Sequence, residues 1–178
     1  MVVIQSGLLT VPLIWSQLFN QKQQSVLIVT DSGVASLYLQ KCIDTLEHIP
    51  AIKQIDHIII EQGDAHKSFD TAQKILSFLI ERHHYRDTIL IALGGGMVGD
   101  VTGFCAACYL RGVDYIQVPT SLLAQVDASI GGKTSVNHPL GKNLIGFFYQ
   151  PKAILCDIHL LNFLINSNKV VRVSSEYR

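Results

Sequence analysis

Apolar and polar positions alternate in blocks along the chain. Residues 25–30 form a short continuous apolar run, and residues 33–46 follow with apolar positions at helical spacing. Residues 55–60 repeat the first pattern. In residues 66–84, Phe69, Ala72, Ile75, Leu76 and Leu79 recur at intervals of three and four, as on one face of a helix. A third run, 88–93, breaks into glycines, and 98–109 continues as a helix. Residues 115–119 and 153–157 complete the strand-like set. Continuous apolar strands separated by helices predict a parallel sheet covered on both faces. The expected fold is therefore α/β and Rossmann-like, a mostly parallel sheet with helices on both faces, without internal repeat, low-complexity stretch or linker.

Sheets of this kind bind ligands at the carboxyl ends of their strands. After the first run stand Asp31, Ser32 and Gly33; after the second, Glu61, Gly63, Asp64 and Lys67. After the third stand Gly94, Gly95, Gly96 and Asp100, and after the fourth Thr120 and Ser121. Small, acidic and hydroxyl residues thus collect at one predicted edge, where a dinucleotide would lie.

Length and composition narrow the classes. The chain has 178 residues, 48% hydrophobic and 16% charged, enough apolar material for one packed domain. Lys plus Arg is 14 and Asp plus Glu is 14, so no basic excess points to nucleic acid as a partner. Cys42, Cys105, Cys108 and Cys156 do not make a disulfide framework, which points to a reducing compartment. No basic leader precedes an apolar stretch, and no apolar run is long enough to span a bilayer; the expectation is a soluble, cytoplasmic chain without a membrane partner. Cys105 and Cys108 have redox-motif spacing but fall within a helix, where small core residues are the better reading. His83 and His84 end a helix and are expected to face solvent. His138 sits in a lysine-bearing loop. His48, His57, His66 and His159 are scattered.

Two segments carry candidate chemistry. Gly94, Gly95 and Gly96 allow the backbone to approach a pyrophosphate, and the following helix would aim its first amides at the same anion. The spacing differs from G-x-G-x-x-G, and a tight turn with close helix–strand packing explains it as well. Residues 119–147 are more specific. Asp127, Lys133, Lys142 and Asn143 stand there among small and apolar residues with little charged company. Gly132, Lys133 and Thr134 imitate a phosphate-binding loop, but Asp127 occupies the position of its first glycine.

Residues 94–104, 109–112 and 118–151 resemble the 3-dehydroquinate synthases of the shikimate pathway, and the resemblance extends over about residues 4–157. Iron-type alcohol and glycerol dehydrogenases share the triple glycine, but carry a lysine where this chain has Gly103. The run Ala124, Gln125, Val126, Asp127 with Gly131 to Thr134 favours the dehydroquinate branch over other sugar-phosphate cyclases.

The resemblance implies an NAD-binding α/β domain over residues 1–160 and a divalent metal, zinc or cobalt. It implies that Asp31 accepts from the adenosine ribose, and that Gly63, Asp64 and Lys67 line the cofactor, with Asp64 replacing a glutamate. Gly95, Gly96, Met97, Val98, Gly99 and Asp100 would follow the pyrophosphate and nicotinamide, with Thr120, Ser121, Lys133 and Lys142 beside them. Asp127, Lys133, Lys142 and Asn143 would act on the substrate, 3-deoxy-D-arabino-heptulosonate 7-phosphate, a sugar-acid phosphate. Homodimerisation is common in the family.

Beyond Asp157 the pattern decays. Residues 161–178 read as a degenerate start of the family's helical metal-binding domain, which is expected to be absent, and Glu176 matches a metal ligand only with a one-residue shift. The chain alone is accordingly expected to be inactive. Another sugar-phosphate cyclase, a metal-dependent polyol dehydrogenase or a non-catalytic NAD-binding remnant are the rival expectations.

Overall fold

A computed structural model describes residues 1–19 and 23–161. Six strands form one parallel sheet: β1 (Val2–Gln5), β2 (Gln24–Asp31), β3 (Ile52–Ile60), β4 (Ile89–Gly94), β5 (Tyr115–Pro119) and β8 (Ala153–Asp157), in the order β1-β8-β5-β4-β2-β3. The inner strands β2, β4, β5 and β8 are buried along their whole length, as their unbroken apolar runs require. The edge strands β1 and β3 alternate or expose side chains instead.

Alternation along β2 divides the core. Val26 and Ile28 join Trp15 of α1 (Pro12–Ser16) and Cys42 and Leu46 of α3 (Gln40–Glu47). Leu27 and Val29 face the other way, onto Ile75 and Leu79 of α4 (Phe69–Glu81) and Val98 and Phe104 of α5 (Gly96–Cys108). The expected helix 33–46 is a composite: α2 (Ser32–Val34) and α3 are joined by a π-helical turn, Ala35–Leu39. The expected helix 66–84 is shorter, because the Ser68 hydroxyl caps it at the Thr71 amide and a 3₁₀ turn, Asp64–His66, precedes it.

Three expectations are corrected. Residues 133–148, read as a lysine-bearing loop, form an antiparallel hairpin, β6 (Lys133–His138) and β7 (Gly141–Phe148). The hairpin lies on α4 and α5, where Phe147 packs on Phe104 at 5.4 Å and Phe104 on Phe69 at 5.8 Å between ring centroids. Gly103 permits this close approach: a Cβ there would stand 2.4 Å from Thr134 Cγ2. His84 does not face solvent but is 2% exposed. The left-handed backbone of His83, φ 55°, turns the chain inward, and His84 Nδ1 lies 3.2 Å from Thr88 Oγ1. Of the helical cysteine pair only Cys105 is a core residue; Cys108 is exposed, and all four cysteines are free. Burial pushes the Cys105 thiol well up, so it is inert at neutral pH.

Among the described residues no helix is long and apolar enough to cross a membrane.

Candidate functional site

The loops at the carboxyl ends of β2 and β4 leave toward opposite faces: β2 runs into α2 and α3, β4 into α5. Adjacent strands diverging in this way open a crevice between them, the switch point of an open α/β sheet. Asp31 ends β2 on one side of the crevice. Its Oδ1 accepts from the amides of Gly33 and Val34, at 2.9 and 3.0 Å, so one carboxylate oxygen is committed to starting the helix.

Gly94 ends β4, and Gly95 stands at the N-cap of α5 without a side-chain hydrogen bond to the helix. The first amides of an α-helix have no partner within it, so those of Gly96, Met97 and Val98 are left for another acceptor. Neither Gly95 nor Gly96 needs a left-handed backbone; what they supply is space. A Cβ on Gly96 would meet Ala128 Cβ at 3.1 Å, and one on Gly95 would lie 3.7 Å from Ser121 Oγ. The Thr120 amide donates to the Gly94 carbonyl at 2.9 Å, which ties the end of β5 to the glycines. Ser121 accepts from the Ala124 amide at 3.3 Å and so starts the π-helical turn Ala124–Ala128 that carries Asp127. Gly99 faces Gln117 across the α5–β5 contact and lines the helix packing.

Deeper in, four side chains converge. Lys67 is 5% exposed, and its ammonium donates to Asp100 Oδ2 and Asn143 Oδ1. Ser135, 8% exposed, lies 3.0 Å from Asn143 Oδ1 and 3.5 Å from Asp100 Oδ2. Burial pushes the Asp100 carboxyl above its ordinary range, and the Lys67 ammonium and Ser135 hydroxyl offset this only in part. Asp100 and Asn143 also line a cleft of about 530 Å³ together with Asp127, Lys133 and Ser135, walled by Phe147 and Phe148.

Four of the residues singled out from the sequence, Asp100, Asp127, Lys133 and Asn143, thus share one cleft. Lys142 stands apart. Its side chain is 74% exposed and pairs with Asp64 at 2.5 Å, which holds the Asp64 carboxyl below its ordinary range. The lysine with buried acidic company is therefore Lys67, while Lys133 and Lys142 are exposed. Gly63 precedes Asp64 in a loop that turns Asp64 outward and Lys67 inward.

Sequence reasoning missed Ser135 and Asn137. Asn137 donates its amide to the Lys67 carbonyl at 2.7 Å, and its Oδ1 accepts the Asn143 amide at 3.1 Å. Thr134 and Val136 point into the protein, which puts Ser135 on the other face of β6. Among the described residues no group of three or more His, Cys, Asp or Glu could hold a metal ion, and Glu176 lies outside the described residues.

Comparison with known proteins agrees with this fold. A 3-dehydroquinate synthase from Coxiella burnetii is 56% identical over 143 residues, covering 80% of this chain and 39% of its own length. The chain thus spans about two fifths of that curated relative. A 2-deoxy-scyllo-inosose synthase, solved with carbaglucose-6-phosphate, NAD+ and Co2+, superposes with a TM-score of 0.81 at 26% identity, over 89% of this chain and 42% of the other. A 2-epi-5-epi-valiolone synthase from Streptomyces hygroscopicus, with NAD+ and Zn2+ bound, gives a TM-score of 0.79 at 28% identity, over 90% of this chain and 43% of the other. The family model described as 3-dehydroquinate synthase N-terminal matches residues 57–171, more than half of the sequence, and the chain belongs to the 3-dehydroquinate synthase family.

Proposed function

We propose that this chain forms the NAD-binding part of an enzyme that converts 3-deoxy-D-arabino-heptulosonate 7-phosphate to 3-dehydroquinate and phosphate. The observation that carries the reading is the Lys67–Asp100–Asn143 cluster, which joins the uncapped start of α5 to a cleft holding Asp127 and Lys133. The residues fit NAD. The first amides of α5 have no partner within the helix and can meet a pyrophosphate, Gly95 presents no side chain beside Ser121 there, and Asp31 ends the neighbouring strand as an acceptor. When bound, NAD supplies a reversible oxidant for a carbon of the sugar ring.

The chain's own groups bind and orient. Lys133 stands in the cleft as a cation for a carboxylate or phosphate, and Lys142, paired with Asp64 outside that lining, is the second cation that the family resemblance offers. Asn143 and Asp127 offer a donor and an acceptor to hydroxyl groups. Asp100, half-buried beside the ammonium of Lys67, keeps a carboxyl at the junction of cofactor and substrate. The family resemblance and the metal-bearing neighbours suggest zinc or cobalt as well. The described residues do not fit such an ion, because they bring no three donors together, and no step is assigned to it.

Calorimetric titration of the chain with NAD should show binding that Asp100→Ala weakens at least about tenfold, as for loss of a charged hydrogen-bonding group. Equal affinity of both proteins sinks the assignment. The lack of a three-donor group among the described residues favours a second reading, an NAD-binding module without turnover. Phosphate release from the heptulosonate with NAD and added metal separates the two. None is expected, and sustained release abolished by a chelator would overturn the second reading.

A further inference from the structure

The hairpin is irregular where it meets the cluster. Val136 pairs with Ile145 and His138 with Gly141, so the single residue Asn137 on β6 faces three residues, 142–144, on β7. This bulge places Asn143 in the left-handed region, φ 58°, a conformation that asparagine tolerates better than most residues. The Asn143 amide is pinned there by Asn137 Oδ1. The side chain consequently turns toward Lys67 and Ser135 rather than along the strand face.

The oxygen of the Asn143 side chain then meets two donors, the Lys67 ammonium and the Ser135 hydroxyl. A carbonyl oxygen has two lone pairs, and both are engaged. Reversing the amide would set its NH2 group against an ammonium, which has nothing to accept with. The two Nδ2 protons are thereby left for the cleft that Asn143 lines. With Lys67 alone, one hydrogen bond would hold the oxygen and the amide plane could swing about it. The second bond fixes the plane. The Ser135 proton has one competing acceptor, Asp100 Oδ2, but at 3.5 Å against 3.0 Å the shorter contact is the stronger.

We propose that Ser135 is a positioning residue of this cleft: its hydroxyl, together with the Lys67 ammonium, saturates the Asn143 carbonyl and commits the Asn143 amide to donate to an acceptor oxygen of a phosphorylated sugar acid. The inference rests on reading the cleft as a sugar-acid phosphate site. It makes this corner selective for oxygens with a free lone pair and unfavourable to a ligand ammonium, which could only donate. Ser135 need not touch the ligand. It acts through Asn143.

In the NAD-loaded protein, Ser135→Ala should weaken calorimetric binding of 3-deoxy-D-arabino-heptulosonate 7-phosphate about fivefold, the effect of one neutral hydrogen bond. Ser135→Thr, which keeps the hydroxyl, should restore substrate affinity. Equal substrate affinity of the original protein and Ser135→Ala overturns the proposal and leaves the reading of the cleft standing. Failure of the original protein to bind the heptulosonate at all overturns that reading instead. The geometry has its own test without a ligand. The 15N signal of the Asn143 side-chain amide, assigned by its loss in Asn143→Asp, should move upfield in Ser135→Ala and return in Ser135→Thr. A signal that does not move overturns the proposal whatever the titrations give.

Discussion

Two aspartates, each partnered by a basic side chain, sit in different parts of the molecule, and their surroundings differ in one respect. Asp56, on β3 below the C-terminal end of α4, has both oxygens filled. Oδ1 accepts from Arg82 Nε and Nη2 at 3.0 and 2.8 Å, while Oδ2 accepts from Gln54 at 2.6 Å and lies 3.3 Å from His84 Nε2. Burial opposes its charge, but the bonds from Gln54 and Arg82 outweigh that and hold the carboxyl below its ordinary range. Asp100, in the cleft, is held through Oδ2 alone among the described residues, and burial leaves it above its ordinary range. A carboxylate whose acceptor sites are all filled by the protein is architecture. One that is filled on a single side, at the mouth of a strand edge, has capacity left for a ligand.

Breaking the cleft pair should have the largest effect. Lys67→Met leaves Asp100 buried without its cation and takes one donor from Asn143, so urea denaturation should show a loss of about 3 kcal/mol. NAD binding should fall with it. Lost stability with unchanged NAD affinity would make this cluster as purely structural as the other. Asp56→Ala should cost about 2 kcal/mol, because Gln54 and His84 lose a charged partner. NAD affinity, measured by the same titration, should not change; a parallel loss of binding would erase the contrast.

The third test is pH. Burial depresses the His84 imidazole below its ordinary value of 6.5, so below that value the unfolded chain binds a proton that the fold does not. The stability tied to neutral His84 is fully present above pH 6.5 and is lost as pH falls toward the depressed folded value. The Asp100 carboxyl, raised above 3.8, works in the opposite sense: its contribution grows as pH falls through the raised value toward 3.8. Thermal melts between pH 7 and 5 should therefore show a falling melting temperature that His84→Gln flattens. The smallest effect on stability is expected at the exposed Lys142–Asp64 pair, where Lys142→Met should cost no more than about 0.5 kcal/mol. It should still weaken heptulosonate binding, and more so at low salt. Salt-independent binding in both proteins would place Lys142 outside the site.

The inner strands were legible because burial on both faces leaves only apolar residues to choose from, as in residues 89–93. The cleft was legible in part, because Asp100, Asp127, Lys133 and Asn143 are chemically out of place among their neighbours. The hairpin was not, for a related reason. Lys133, Ser135 and Asn137 occupy the alternate positions of β6, and polar residues there break the apolar run that would have marked a strand. The inward turn of His84 depends on a left-handed residue, His83, that is neither glycine nor asparagine, and composition offers no warning of it. Lys67 was read as a cofactor contact; that it spans Asp100 and Asn143 depends on a hairpin arriving some 70 residues later in the chain, and local pattern carries no trace of such a contact.

The outermost strand, β1, pairs only with β8, in a register that sets Val2 beside Ile154 and Gln5 beside Asp157. The Asp157 carboxylate then accepts from the amides of Gly7 and Leu9, at 2.7 and 2.9 Å, and fixes the segment that follows β1. Residues 2–5 therefore wait for residues 153–157 to be made before they have a place to go. At about 5–20 residues per second, synthesis of the intervening chain takes on the order of ten seconds, far longer than a helix or hairpin needs to form. During that interval β2, β3 and β4 can assemble, while Val3, the β1 residue that packs on the core, remains in water. Moving β1 to follow β8 through a short linker, as a circular permutant opened before β2, would turn the most distant pairing of the sheet into a local one. Such a permutant should refold faster than the natural order and form less aggregate on dilution from urea.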